Sequence, residues 1–192
     1  MNTQPTSSIH ATSPAANESQ LKRRRFLGAA AATALAAVLP RQVLAGAKHV
    51  PPGEKIRLAY VGCGTQGFRQ LMQALTNQEL RITAVCDPNR GSDDYPDYGN
   101  DELNNSIRKF LKDPDWAKGA RGALCGREPG QQIVNRYYAA QKQSDKNEDC
   151  RAYADFRELL VKEKDLDAVY IMTPDHLHGV IAIAAMRQGK HV

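Results

Sequence analysis

Gly62, Gly64 and Gly67, in the run Gly62-Cys63-Gly64-Thr65-Gln66-Gly67, have the spacing that lets a backbone turn hold a diphosphate. They follow the apolar, β-rich run Ile56 to Val61 and precede a helix-like segment, Phe68 to Thr76. In that setting the first glycine turns the chain sharply, the second admits a pyrophosphate without an intervening Cβ, and the third lets helix pack closely on strand. Backbone N–H groups at the helix N-terminus supply the binding donors. Asp87 stands twenty residues past Gly67, at the end of a second apolar run, Leu80 to Cys86. A carboxylate there accepts both hydroxyls of an adenosine ribose and repels a 2′-phosphate, which favours NAD over NADP. Arg90 lies close enough to offset part of that repulsion, so NADP stays open, and a solvated loop cation is an equally good reading of Arg90. An ordinary tight turn would also use glycine; the flanks and the acid at the right distance argue against it.

These residues must be positioned by flanking elements, and the chain after residue 55 alternates accordingly. Strands are expected at Ile56–Val61, Arg81–Cys86 and Asp167–Met172, with a short edge strand at Cys150–Tyr153. Their near-continuous apolar character is that of parallel strands covered on both faces. Ile133, Val134, Tyr137 and Tyr138 lay an apolar stripe along a helix from about Gly130 to Gln143, with the two tyrosines as core contacts. Further helices are expected over Asp155–Lys164 and Asp175–Gln188, the latter capped by Asp175 and stopped by Gly189. The fold class is α/β, a doubly wound parallel sheet of Rossmann type spanning 55–192. Right-handed crossovers place the 168–172 strand beside the first. The loop Thr173-Pro174-Asp175-His176-Leu177-His178 then faces the glycine turn across the switch-point crevice.

Between these elements, Pro88 to Pro129 is polar and turn-rich, and a short amphipathic turn at Ile107–Leu111 is the one regular piece expected in it. Loops of this length are usually functional or disordered. A lid over the adenosine end, with Arg127 or Glu128 near the ribose, is the preferred reading. Asp93, Asp94, Asp97 and Asp101 lack a fixed spacing for a divalent ion, so no metal is expected.

The first forty-five residues read as an export signal. Lys22-Arg23-Arg24-Arg25-Phe26-Leu27 precedes a twelve-residue apolar stretch, Gly28 to Leu39, too short to span a bilayer. Arg23-Arg24 before Phe26-Leu27 fits the twin-arginine pattern, with cleavage after Ala45 or Ala47 and residues 46–54 as a linker. The implied partner is the twin-arginine export machinery, and the implied location is periplasmic or otherwise exported, with no stable membrane anchor. This segment carries five of the 26 basic residues and one of the 21 acids, so the remainder is nearly neutral. Nucleic acid is therefore not an expected partner. Export of a folded protein would let the domain load its dinucleotide in the cytoplasm, where folding also occurs in a reducing setting. Cys63 and Cys86 are expected to be buried near the cofactor. Cys125 and Cys150 are expected to be free thiols, with pairing after export left open.

Taken together, the glycine motif, Cys86-Asp87-Pro88-Asn89-Arg90, Tyr153-Ala154-Asp155-Phe156-Arg157-Glu158-Leu159-Leu160, the Thr173–His178 loop and Gly189-Lys190-His191-Val192 resemble the Gfo/Idh/MocA oxidoreductases. The resemblance implies that Gly62, Gly64, Thr65, Gln66 and Gly67 cradle the pyrophosphate, that Asp87 holds the adenosine ribose, and that Thr173 and Pro174 border the nicotinamide ribose. It gives His178 either a cofactor-side contact or a local bond to nearby backbone. It also implies a Glu-Lys-Pro-like segment and a C-terminal α/β substrate domain, neither of which lies within these 192 residues, so no catalytic residue is assigned. The expected function is the dinucleotide-binding part of an exported NAD-dependent oxidoreductase that transfers hydride to or from a sugar, polyol or related hydroxyl compound. An NAD-dependent glycoside hydrolase of the same family and a non-catalytic nucleotide-binding module are the alternatives. A homo-oligomeric full-length form is left open.

Overall fold

The computed structural model describes residues 54–97, 102–141 and 149–192, all within one compact unit, Lys48–Val192. The expected signal segment 1–45, residues 46–53 of the linker, Asp101 and the expected helix end at Gln143 lie outside the described residues. Among the described residues eleven elements follow in order: β1 Ile56–Val61, α1 Thr65–Thr76, β2 Leu80–Cys86, β3 Ser92–Tyr95, α2 Glu102–Leu111, β4 Ala123–Cys125, α3 Arg127–Ala140, β5 Arg151–Tyr153, α4 Phe156–Lys162, β6 Ala168–Ile171 and α5 Asp175–Arg187.

Four strands form a parallel sheet in the order β5-β2-β1-β6. Side chains alternate between its two faces. Leu58, Tyr60, Ile82 and Val85 enter one core with Phe68 and Leu71 of α1, Leu103 and Ile107 of α2, and Ile133 and Val134 of α3. Ala59, Val61, Ala84 and Cys86 enter the other with Leu159 and Leu160 of α4 and Ile181 and Ala185 of α5. Burial on both faces explains the apolar runs, because over Leu58–Val61 of β1 and Arg81–Cys86 of β2 neither side meets water. The β1–β2 register slips by one residue between Leu58 and Ala59, so that Leu58 pairs with Ile82 and Ala59 with Ala84. The slip leaves Thr83 as the extra residue of a bulge. Strand β5 pairs only with Ala84–Cys86, so Ile82 has no strand on that side, and its N–H donates to the Tyr138 hydroxyl at 2.9 Å. That bond and the Phe110–Tyr137 stack, with centroids 5.0 Å apart, make both tyrosines packing residues, as their spacing suggested.

The expectation of a largely structureless 88–129 loop is overturned. The segment contains the ten-residue helix α2 and an antiparallel pair, β3 with β4. Leu103, Asn104, Ile107, Trp116, Ala123 and Cys125 are all buried. An unstructured loop would leave such groups in water, and the hydrophobic effect instead draws the apolar ones into the α1–α3 layer. Asn104 joins the pieces, giving Nδ2–H to the Gly122 carbonyl at 2.9 Å and accepting from Leu124 N at 3.2 Å. Asp97 accepts from Leu103 N at 2.8 Å and pairs with Arg69 of α1 at 3.1 Å.

Helix boundaries also shift slightly. Helix α1 begins at Thr65 and α3 at Arg127, each three residues before the expected start. Asp175 is the first residue of α5, and Pro174 holds the cap position. Asp155 does cap α4, accepting from Arg157 N at 2.8 Å. No described helix is long and apolar enough to cross a membrane.

Candidate functional site

The sheet's direction of growth reverses between β1 and β6, so the loops leaving those strands bound a crevice. Both loops are fixed by backbone bonds: Gly62 N–H donates to the Cys86 carbonyl at 2.8 Å, and Met172 N–H to the Val61 carbonyl at 2.7 Å. Gly62 has φ +104°, and a Cβ there would lie 2.5 Å from the Met172 carbonyl group. A Cβ on Gly67 would lie 2.3 Å from the Gly62 carbonyl oxygen. These two glycines bring strand, turn and helix together closer than any side chain permits. Gly64 differs, because a Cβ there would meet only the Tyr95 ring, 3.7 Å away. Its bare Cα faces the cleft.

Two helix N-termini flank the turn and use their donors differently. At α3, the N–H groups of Gly126, Arg127 and Glu128 reach the carbonyls of Cys63, Asn89 and Arg90 at 2.9–3.0 Å. At α1, Gly64 gives no side-chain cap, no acid lies in the first turn, and the N–H groups of Thr65, Gln66 and Gly67 have no partner among the described residues. Free donors at the positive end of a twelve-residue helix suit an anionic group. The Tyr60 hydroxyl holds this turn from beneath, donating to the Gly67 carbonyl at 2.6 Å.

Asp87 is buried at the mouth of β2. One carboxylate oxygen accepts from Cys63 N at 2.7 Å and the other from Asn89 N at 2.8 Å. Each oxygen retains a lone pair, and Asp87 lines the cleft. The acid thus has two tasks: it orders the glycine turn and presents acceptors to the crevice.

The cleft has a volume of about 630 Å³. Gly62, Gly64, Thr65, Gln66, Gly67 and Asp87 line one side, and Thr173, Pro174 and His178 the other, with Met172, Asp175 and Leu177. Of the ten residues singled out in the sequence, nine therefore meet in one crevice. Arg90 is not among its lining residues; three-quarters exposed, it pairs with Glu128 at 2.7 Å. Arg127 points its guanidinium at the Asp87 and Pro88 carbonyls, 3.3 and 2.9 Å away. His178 Nε2 lies 2.6 Å from the Thr173 carbonyl, which can only accept, so Nε2 carries the proton. Tyr95 and Pro88 also line the cleft, and neither was singled out in the sequence.

The acids of the 93–97 stretch have other partners. Asp93 pairs with Arg121 at 2.8 Å and Asp97 with Arg69. Among the described residues no group of His, Cys, Asp and Glu is arranged to hold a metal ion.

All four cysteines are free and buried. Burial pushes the Cys86 and Cys125 thiols up to about 12 and raises Cys63 and Cys150 as well, with the Asp87 carboxylate adding to the rise at Cys63, Cys86 and Cys125. Because the thiolate is the nucleophile, a disulfide reagent at pH 8 is expected to leave the folded chain untouched and to titrate four thiols after denaturation. Rapid reaction of even one thiol in the folded state would show that the packing around that thiol opens readily, and at Cys63 that the turn does.

A parallel sheet with helices on both faces and a glycine turn at its switch point is a Rossmann-type α/β fold. Residues 123–192 match the model of the Gfo/Idh/MocA oxidoreductase family, described as an NAD-binding Rossmann fold. Over 172 residues the chain is 27% identical to a glycosyl hydrolase family 109 protein of Stenotrophomonas maltophilia (strain K279a), covering 90% of this chain and 29% of that protein. It is also similar to two solved structures of scyllo-inositol dehydrogenase from Lactobacillus casei. One has bound NAD(H) and scyllo-inositol (20% identity, TM-score 0.38) and the other is the apo form (17%, 0.37); each match covers 72% of this chain and 27% of the solved chain. The chain spans less than a third of the length of these relatives.

Proposed function

We propose that this chain is the dinucleotide-binding part of an NAD-dependent oxidoreductase of the Gfo/Idh/MocA kind. The observation that carries this reading is the set of free N–H groups of Thr65, Gln66 and Gly67, held by a glycine-crowded turn beside the buried Asp87 carboxylate. Gly62, Gly64, Thr65, Gln66 and Gly67 hold the diphosphate, Asp87 accepts from the adenosine ribose, and Thr173, Pro174 and His178 border the nicotinamide end. His178, with Nε2 engaged by the Thr173 carbonyl, orients that loop. Bound NAD supplies hydride acceptance and donation. The substrate is a sugar, polyol or related hydroxyl compound, taken with the substrate domain that the resemblance implies. The basic and apolar runs of the leader support export by the twin-arginine route to the periplasm, with cofactor already bound.

The test is calorimetric titration of the purified chain with NAD and NADP. Saturable NAD binding, several-fold tighter than NADP, is expected; no binding of either would sink the reading.

The family 109 relative supports a second reading, a glycoside hydrolase that uses NAD without net redox change. The two part on one assay of the full-length protein. A dehydrogenase accumulates NADH with turnover, whereas the hydrolase releases the aglycone from an aryl glycoside with NADH held constant.

A further inference from the structure

The β3–β4 pair brings an aromatic residue to the crevice that neither the glycine motif nor the family match assigns. Tyr95 ends β3, opposite Ala123 of β4. A Cβ on Gly64 would lie 3.7 Å from its ring, so the ring stands beside the bare Cα at the start of α1. Its hydroxyl accepts from Asn89 Nδ2 at 3.3 Å, and Asn89 N–H in turn donates to Asp87. Tyr95 is thus placed between the two anchor points of the proposed site, the free N–H groups of α1 and the Asp87 carboxylate.

The strand that carries the ring is fixed in place. Gly122 N–H donates to the Asp93 carbonyl at 2.6 Å, and a Cβ on Gly122 would lie 2.6 Å from the Tyr95 carbonyl oxygen, so β3 and β4 meet where a side chain would not fit. Asn104 and Asp97 fix both ends of the segment to α2 and α1. Having accepted from Asn89, the phenol has no acceptor for its own O–H among the described residues. Burial pushes its pKa above the ordinary tyrosine value, so it stays protonated and able to donate.

We infer that Tyr95 is a further dinucleotide-contacting residue, its ring forming the wall of the cleft and its O–H donating at the junction of the adenosine ribose and the diphosphate. The 88–129 segment then serves the cofactor through Tyr95, held on the β3–β4 pair. The inference rests on the dinucleotide reading, and its test separates the two.

Wild type, Tyr95→Phe and Tyr95→Ala are titrated with NAD, ADP-ribose and nicotinamide mononucleotide, with thermal melting alongside. Tyr95→Phe is expected to weaken NAD and ADP-ribose equally, roughly threefold to tenfold, the size of one net hydrogen bond. Tyr95→Ala, which also removes the wall, should weaken both by more than about thirtyfold. Binding of the mononucleotide should be unchanged. If the alanine variant fails to fold, Tyr95→Phe carries the test by itself. Unchanged NAD affinity in Tyr95→Phe with a lower melting temperature would make the hydroxyl merely structural and overturn the inference. A loss confined to the mononucleotide would also overturn it. Failure of the wild type to bind NAD or ADP-ribose would remove the dinucleotide reading itself.

Discussion

Gly67→Ala is expected to abolish measurable NAD binding and to destabilise the fold, whereas Gly64→Ala should weaken binding with little change in stability. The difference lies in what each new methyl group meets. At Gly67 it would lie 2.3 Å from the Gly62 carbonyl oxygen and 3.1 Å from its carbon, both backbone atoms that cannot rotate away. Alanine is the better helix former by about 1 kcal/mol, but overpacking costs about 1–3 kcal/mol, and a clash with fixed backbone sits at the upper end of that range, so the net loss approaches about 2 kcal/mol. Relieving the clash would also move the Thr65 and Gln66 N–H groups and strain the Tyr60 bond to the Gly67 carbonyl. Two charge-assisted hydrogen bonds lost at about 1.5–3 kcal/mol each amount to a hundredfold or greater loss of affinity. At Gly64 the methyl would find ordinary contact with Tyr95, but it would project into the space a diphosphate needs. Calorimetry and chemical denaturation of both variants decide the matter. A Gly67→Ala chain that binds NAD within threefold of wild type would show that the turn does not carry the site.

Asp87→Asn should lower NAD affinity by roughly tenfold to a hundredfold, the scale of a hydrogen bond to a charged group. It should also narrow or reverse the preference over NADP, because the charge that repels a 2′-phosphate is gone. Stability falls in the same variant. In the native chain both carboxylate oxygens accept from backbone N–H groups, at Cys63 and Asn89. An amide offers one oxygen, so one N–H would face an NH₂ group, at a cost of about 1–3 kcal/mol. Denaturant midpoints and paired NAD and NADP titrations test both parts. Normal affinity together with reduced stability would leave Asp87 as a brace for the turn and nothing more.

Much of the frame was legible in the sequence because it is written in patterns that burial enforces. Ile56–Val61 is legible at its observed bounds and the second strand within one residue, Arg81 against the observed Leu80, because both faces are covered from Leu58 and from Arg81 onward. The adjacency of β1 and β6 followed from crossover handedness. The inserted segment was not legible, for identifiable reasons. Helix α2 opens Glu-Leu-Asn-Asn-Ser-Ile, and asparagine and serine are indifferent helix formers. One of those polar residues, Asn104, is buried because it bonds β4, a long-range partner that no local periodicity announces. Strand β3 reads Ser-Asp-Asp-Tyr, a poor β sequence that pairs because Ala123–Cys125 presents an edge to it. Tyr95 is illegible as a cleft residue for the same reason: its place there depends on that pairing, and no motif spacing encodes it.

The clamp of α3 on the carbonyls of Cys63, Asn89 and Arg90 bears on how a ligand would arrive. Those three bonds, with Asp87 gripping the same turn from the other side, fix the cradle's shape as the polypeptide folds. Little conformational freedom remains to be surrendered on association, so docking should resemble a key entering a finished lock, and affinity gains the entropy that a floppy receptor would forfeit.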